Sequence, residues 1–399
     1  MNSWAVLIAD NCQDKSRLLK ISDLNIGKVY GRVNALGVLS LHLPPSLVIL
    51  TQDLSAYGVK QQRLQDILVV RTDRIGDVIL TLPTVEALKL NFPKARVAML
   101  LNSYTASLVE GIADVLIYNR QTAPKPFFEM LKELRRARFD AVVVAFPRFR
   151  IALLLWLAGI PVRIGTGYRW YSFLFNRKIF EHRKTVEKHE AEYNLSLLKG
   201  LGCTVSSKPE VKIVISEQER KTASGIRQSI GISDADRLIL LHPGSGGSAR
   251  DWKPENFALL AADLKKRGFY VVITGGKAES ELVHSVAQNA GEGVKSFVSN
   301  FSLKEFAAFI QTAKLFVANS TGPLHIAAIV GTPVIGFFAP VHVMSPKRWG
   351  PLTDKKVIFV PDPMQCSRCK GDTCRGNHCM EQITVKQVLE AAVKLVTGN

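Results

Sequence analysis

A charged segment with the residue types of acid–base catalysis runs from Arg71 to Asp77 and joins an apolar run to a helical pattern. Backbone N–H groups at the start of a helix favour an anion or a developing negative charge. Asp77 has two interpretations, a helix N-cap or a general base that takes the proton of an attacking hydroxyl group. Arg71, Asp73 and Arg74 are the candidates for contacting the acceptor molecule that carries this hydroxyl. Because the segment contains only Gly76, it is not a dinucleotide-binding fingerprint.

A second segment, 242–250, is rich in glycine and hydroxyl side chains. Glycines let a backbone approach a ligand closely, and Ser245, Ser248 and Arg250 supply hydrogen-bond donors that match phosphate oxygens. The segment is either a diphosphate site or a flexible loop. A later segment, 319–325, has the same character. Two such loops favour a bound nucleotide diphosphate.

Glu279 lies just beyond the glycine pair Gly275-Gly276, at the end of another apolar run. A carboxylate in this place can accept hydrogen bonds from ribose hydroxyl groups. The alternative is a solvated glutamate at the start of a helix.

Four of the six cysteines lie close together, at Cys366, Cys369, Cys374 and Cys379. Four thiolates could hold a tetrahedral zinc ion or a cluster. The spacing lacks the second CxxC pair of a zinc ribbon, so we expect reduced thiols or a disulfide and no metal site.

The elements that must position these residues form two sets, over 67–145 and 238–337, in which apolar runs of strand length alternate with helical patterns. Continuous Val/Ile/Leu strands between helices predict parallel sheets covered on both faces. We therefore predict an α/β protein with two Rossmann-like domains. Ligands of such sheets bind beyond the carboxyl ends of the strands, so the polar loops of both domains should face one central cleft.

The chain has 52 Lys and Arg against 34 Asp and Glu, a net charge of +18, which favours an anionic partner. Since no nucleic-acid-binding signature accompanies the charge, a phosphorylated sugar or an acidic lipid fits better.

The N-terminus lacks the basic region of a secretory signal, so we expect a cytoplasmic protein. The apolar run 151–160 is about half the ~20 residues of a membrane crossing. With nearby arginines and aromatic residues it could touch anionic lipid, or it is a core helix beside a solvated basic loop.

Five stretches of the chain resemble, in unbroken order, the motifs of glycosyltransferase family 9, the ADP-heptose:lipopolysaccharide heptosyltransferases. They are ILVVRTDRIGDVILTLPTVEALKLNFPKARV (67–97), KHEAEYNLSLLKGLG (188–202), LLHPGSGGSARDWKPENFALLAADL (240–264), ITGGKAESE (273–281) and LFVANSTGPLHIAAIVGTPVIGFFAP (315–340). The resemblance covers the chain from residue 67 to about residue 395.

The resemblance implies a GT-B fold, with the acceptor on the first domain and the nucleotide sugar on the second. It implies an inverting transfer that needs no metal or other cofactor. Asp77 matches the family's catalytic aspartate, Arg250 the basic residue that meets the donor phosphates, and Glu279 the carboxylate near the nucleoside. The phosphate-side loop of the second domain is matched by Thr321, Gly322 and His325.

The chain departs from the better-known heptosyltransferases at Ser320, where they carry an aspartate that is thought to meet the heptose. It departs again at Asp73 and Arg74, where small residues are frequent in those members. These positions concern the identity of the donor and of the acceptor. The expected domains are an N-terminal extension (1–64), an acceptor domain (65–207), a nucleotide-sugar domain (208–383) and a C-terminal helix (384–399).

These features together predict an inverting glycosyltransferase that moves a heptose or related sugar from an ADP-sugar, ADP-heptose above all, to an anionic, lipid-linked acceptor of the lipopolysaccharide-core type. Peripheral contact with the cytoplasmic face of the inner membrane would follow from such an acceptor. One alternative is a transferase of the same fold with another nucleotide sugar or glycan acceptor. The other is a catalytically silent sugar-nucleotide-binding module, in which Asp77 is only a cap.

Overall fold

A computed structural model describes the chain from residue 64 onward, apart from short gaps, together with two short strands nearer the N-terminus. The described ranges are 64–119, 123, 125–203, 205, 210–233, 235–299, 301–362 and 378–398. The two short strands, β1 (Arg32–Val33) and β2 (Leu39–Ser40), pair antiparallel. The remainder of the predicted extension 1–64, up to residue 63, lies outside the described residues.

The first sheet consists of short, fully parallel strands. They are β3 (Asp66–Val70), β4 (Arg96–Asn102), β5 (Asp114–Asn119), β6 (Ala141–Val144), β7 (Val162–Thr166) and β8 (Arg177–Ile179). Their order in the sheet is β5-β4-β3-β6-β7-β8. This is the doubly wound order, in which the chain changes direction between β3 and β6.

Seven helices accompany this part of the described chain. They are α1 (Ile75–Ile79), α2 (Leu82–Asn91), α3 (Ser103–Ala106), α4 (Phe127–Ala137), α5 (Phe149–Leu157), α6 (Glu190–Ser196) and α7 (Glu217–Ser229). The predicted helix at 151–160 is therefore α5, which begins two residues earlier and buries one face in the core. No helix of the described residues is both long and apolar enough to cross a bilayer.

The second sheet repeats the first. Its strands are β9 (Leu238–His242), β10 (Tyr270–Gly276), β11 (Lys295–Ser299), β12 (Leu315–Asn319), β13 (Val334–Phe337) and β14 (Lys356–Phe359). They are parallel and lie in the order β11-β10-β9-β12-β13-β14. The helices of this half are α8 (Pro254–Lys266), α9 (Ser280–Ala290), α10 (Leu303–Gln311), α11 (Gly322–Ile329), α12 (Pro346–Trp349) and α13 (Val385–Thr397).

The prediction of two Rossmann-like halves is confirmed. The central strands of both sheets are buried on both faces, as their continuous aliphatic sequences indicated. Within the two sheets, four strands were not predicted from the sequence, namely β7, β8, β11 and β14. They mix charged and apolar residues, because edge strands and their neighbours are only partly covered.

The two halves share one buried apolar cluster, which runs from the underside of the first sheet through α1 and α11 to the second sheet. Gly76 of α1 and Gly322 of α11 make this contact possible. A Cβ atom on Gly76 would lie 2.7 Å from His325 Cδ2, and one on Gly322 would lie 2.7 Å from Ile75 Cβ. The N-termini of these two helices therefore abut across the cleft.

Candidate active site

A cavity of about 580 Å³ opens at the carboxyl end of the first sheet. It lies where loops after β3 and β6 diverge, the place at which open α/β sheets bind ligands. Side chains of both halves line it, among them Arg71, Asp73, Asp77, Phe146, Arg183, Glu190, Arg348 and Trp349. The two halves thus face one cleft, as expected. The second half contributes Arg348 and Trp349 to this cavity, and its predicted polar loops are not among the residues that line it.

Asp77 is the third residue of α1 and lines this cavity. The N-cap of the helix is Arg74, and no side chain makes a capping hydrogen bond there. The interpretation of Asp77 as an N-cap is therefore wrong. Its carboxylate is 16% exposed and accepts a short hydrogen bond from Nη2 of Arg71, so its position is set by an ion pair.

Arg71 is buried at the centre of a network of acidic partners. Its Nε donates to Asp73 Oδ1 over 2.8 Å, and its Nη1 donates to Glu190 Oε1 over 3.3 Å. The same Nη1 lies 3.2 Å from the side-chain oxygen of Asn194. Burial alone would lower the pKa of Arg71, but the surrounding carboxylates outweigh it and raise that pKa. Arg71 is thus a fixed cation that orients Asp77 and Asp73.

Asp73 is the second carboxyl group of the cavity. Burial raises its pKa to about 7, an effect that Arg71 opposes and the neighbouring Asp77 reinforces. Asp73 therefore binds a proton more readily than an ordinary aspartate does. Arg74, the third candidate for acceptor contact, is exposed at the edge of this loop.

Glu190, which the sequence reasoning did not single out, is the most buried acid of the site, with a side chain 1% exposed. It accepts hydrogen bonds from Arg71, from Arg183 and, over 3.0–3.1 Å, from Arg348. Arg348 belongs to α12 of the second half, so this carboxylate ties the halves together.

A signal for Glu190 was present in the resembling stretch 188–202. Glu190 and Asn194 are one helical turn apart, on the same face as Tyr193 and Leu197, which are buried. Polar residues at such positions must have partners inside the protein. Those partners, Arg71 and Arg348, are far away in the sequence, so the pattern could not identify them.

The predicted donor loops lie together at the carboxyl end of the second sheet. Asn319 is buried between them, since its amide donates to Pro243 O over 2.7 Å and its Oδ1 accepts from Trp252 N over 2.8 Å. The loop with Ser245, Ser248 and Arg250 is thereby fixed beside the loop with Ser320, Thr321 and Gly322 at the start of α11.

Glu279 belongs to the same end of the sheet. Its Oε2 accepts from Gly276 N over 3.0 Å and lies 3.7 Å from His242 Nε2. A Cβ atom on Gly244 would collide with the Glu279 carboxylate, so the glycine is needed for this close approach. Burial lowers the pKa of His242 to about 4, although Glu279 acts in the opposite direction. Glu279 therefore lies against the glycine loop.

His325 is buried between the two halves. Burial, with a contribution from His189, lowers its pKa to about 3, so the ring is neutral. Its Nδ1 has no hydrogen-bond partner among the described residues. An unpaired buried nitrogen of this kind is energetically costly.

Three of the four clustered cysteines, Cys366, Cys369 and Cys374, lie outside the described residues. Cys379 is described and is a buried free thiol. Within the described ranges, no three His, Cys, Asp or Glu side chains are placed to hold a metal ion.

Comparison with known proteins identifies a family. The model of "Glycosyltransferase family 9 (heptosyltransferase)" matches residues 127–380. A putative glycosyltransferase of Haemophilus influenzae is 31% identical over 310 residues, 75% of this chain and 90% of the relative. Lipopolysaccharide heptosyltransferase 3 of Escherichia coli is 26% identical over 343 residues, 81% of this chain and 97% of that protein. The crystal structure of a family 9 glycosyl transferase from Veillonella parvula superposes with a TM-score of 0.73 at 25% identity, over 84% of this chain and 98% of that one.

Proposed function

The chain belongs to glycosyltransferase family 9 and has the GT-B fold, and we propose that it moves a heptose or related sugar from an ADP-sugar to a lipid-linked acceptor of the lipopolysaccharide-core type. The observation that carries the proposal is the position of Asp77, an ion-paired carboxylate in a cavity that both halves line. The similarity to a lipopolysaccharide heptosyltransferase supports the class of donor and acceptor. The reaction would take place at the cytoplasmic face of the inner membrane.

In the proposed reaction, the acceptor hydroxyl oxygen attacks the anomeric carbon of the donor sugar from the face opposite the diphosphate. The new C–O bond forms as the bond to the diphosphate breaks, so the configuration inverts. Asp77 takes the hydroxyl proton, and ADP leaves with the electron pair of the broken bond. General-base assistance of this kind contributes about 10²–10⁴ in rate.

Arg71 supports this step through position rather than by contact with the sugar. Its guanidinium holds Asp77, Asp73 and Glu190 at once, and its burial leaves it few alternative conformations. Because the base is already held in position, less entropy is lost when the reacting groups reach their productive geometry. Asp73, with its raised pKa, is placed to hold the acceptor by donating or accepting a hydrogen bond.

The donor diphosphate would lie at the second half, between the segment 242–250 and the N-terminus of α11. Arg250 and Ser245 would supply hydrogen-bond donors, and the Ser248 hydroxyl, which donates to Ser245 O over 2.7 Å, would have to turn to join them. The positive end of α11 would face the same diphosphate. These groups would stabilise the charge that develops on the departing diphosphate. Glu279 would accept from the ribose hydroxyl groups. Ser320 stands where the better-known heptosyltransferases carry an aspartate that is thought to meet the heptose. The identity of the transferred sugar is therefore the most specific claim of the proposal.

Asp77→Asn tests the proposal, because the amide keeps the shape of the carboxylate and cannot take a proton. We expect transfer from a labelled ADP-heptose to fall by about 10²–10⁴, while donor affinity by calorimetry stays within a few-fold. Glu86→Gln, in a half-buried ion pair on α2 away from the cavity, is the matched control and should transfer normally.

Wild-type turnover in Asp77→Asn would remove Asp77 as the base. Tight binding of the ADP-sugar by the unmodified protein, without product on any lipopolysaccharide-core acceptor, would favour the silent binding module. If only a different nucleotide sugar were turned over, the assignment of the donor would be wrong, and the assignment of Asp77 as general base would stand.

A further inference from the structure

We propose that the protein docks on an anionic bilayer through an aromatic platform formed by Phe149, Trp156, Trp170 and Phe173. This proposal rests on the proposed function in one respect, because a lipid-linked acceptor requires the enzyme to act at a membrane surface. The four side chains are 41%, 49%, 73% and 67% exposed. Exposing large aromatic side chains to water is energetically unfavourable, and such side chains are typical of membrane interfaces.

Phe149, Trp156 and Trp170 form the connected part of the platform, and Phe173 lies three residues beyond Trp170 in the chain. Phe149, Leu153 and Trp156 are spaced by four and three residues, so they share the outer face of α5, opposite the face that enters the core. Trp170 packs on Phe149 with ring centroids 4.8 Å apart. α5 is nine residues long, so it can lie in the headgroup region but cannot cross a bilayer.

The charge around the platform is strongly positive. Residues 141–189 contain nine Lys and Arg against two Asp and Glu. Arg148 and Arg169, on either side of the aromatic groups, are exposed. Phe128 and Arg136 of the neighbouring α4 border a second basic surface, and Arg135 joins the two helices by donating to Leu157 O over 3.1 Å. Basic residues around inserted aromatic groups match a surface of acidic lipids.

The platform is joined to the candidate active site. Phe149 and Trp170 line a groove of about 360 Å³ together with Phe146, Pro147 and Arg169, and these last three residues also line the 580 Å³ cavity that contains Asp77. A protein seated on the platform would open that cavity toward the headgroups. A lipid-linked acceptor could then reach Asp77 while its acyl chains stay in the bilayer.

The test is sedimentation of the full chain with vesicles of phosphatidylglycerol mixed with phosphatidylcholine, without donor or acceptor. We expect binding that falls with salt and is weak on pure phosphatidylcholine. Trp170→Ser with Phe173→Ser should lower the partition coefficient by about tenfold or more, since each side chain loses most of its buried apolar area. Both residues are exposed, so the thermal midpoint should not change.

The control is Leu90→Ser with Leu259→Ser, which removes two apolar side chains 60% and 57% exposed on other surfaces. Vesicle binding by this control should equal that of the unmodified chain. Equal binding by the platform variant, or no binding of the unmodified chain to anionic vesicles, would overturn the proposal. So would self-association that the platform variant loses, in the absence of vesicle binding, because a second copy would then be the partner. Vesicle binding without sugar transfer would instead reject the proposed function and keep the docking surface.

Discussion

Replacing Glu190 by Gln should lower the free energy of unfolding more than any other isosteric substitution at the cavity. Three guanidinium groups, those of Arg71, Arg183 and Arg348, converge on this one buried carboxylate. Glutamine keeps one oxygen acceptor but removes the charge, and its NH2 group meets guanidinium N–H groups. Three cations are then left with less compensation in a region with little access to water.

The magnitude follows from the burial of the carboxylate. Each pair at about 4 Å is worth roughly 4 kcal/mol at an effective dielectric constant of 20, and the cost of desolvating the carboxylate cancels much of that sum. Removal of one partner of a buried ion pair costs about 3–5 kcal/mol. Arg348→Met should cost less, because Glu190 keeps Arg71 and Arg183. Since Arg348 comes from the second half, the double variant should show a coupling energy of about 0.5–3 kcal/mol.

Urea denaturation of the two single variants and the double variant measures these quantities, with circular dichroism and tryptophan fluorescence as separate probes. Trp349 lies against Arg348, with 4.7 Å from the guanidinium carbon to the ring centroid, so its fluorescence reports on the contact between the halves. The half-buried i,i+3 pair of Glu86 with Lys89 on α2 is the control, and Glu86→Gln should cost about 0.5 kcal/mol or less. A loss in Glu190→Gln equal to that of the control, or additive single effects within about 0.5 kcal/mol, would refute the reasoning.

Two further predictions concern the segment 71–77, which contains Asp73 and Gly76. Gly76→Ala should lower stability by about 1–3 kcal/mol because the new Cβ meets the buried ring of His325. Gly225→Ala, where a Cβ has open space in the exposed interior of α7, should instead raise stability by about 1 kcal/mol. Stabilisation by both substitutions in thermal unfolding would contradict the close packing of the halves. Asp73 has its pKa raised in the folded protein to about 7, so the native state binds the extra proton and stability should fall as pH rises from about 4 to 7. Asp73→Asn should remove up to about 4 kcal/mol of this pH dependence, and an unchanged pH profile of the thermal midpoint would argue against the raised pKa.

The sequence predicted the architecture well where the pattern was strong. Runs such as 67–70 and 238–241 contain only aliphatic residues and became central strands, because a strand covered by helices on both faces must be apolar on both faces. Strands β8 and β14 were not predicted, because they are only three and four residues long and begin with charged residues at the partly covered edge of a sheet.

The sequence by itself determined the fold class, the family resemblance and the set of polar loops at the strand ends, because these depend on local spacing and on residue type. The tertiary structure alone decided what those residues do to one another. Arg71, Glu190 and Arg348 are separated by more than a hundred residues at each step, and no periodicity links them. Asp77 could be read as a cap or as a base until the helix was seen to begin at Ile75, with Arg74 in the capping position. The exposure of Trp170 beside the outer face of α5 likewise depends on which surfaces other elements cover. Local sequence specifies elements through short-range geometry, whereas ion-pair partners and exposed faces depend on long-range packing.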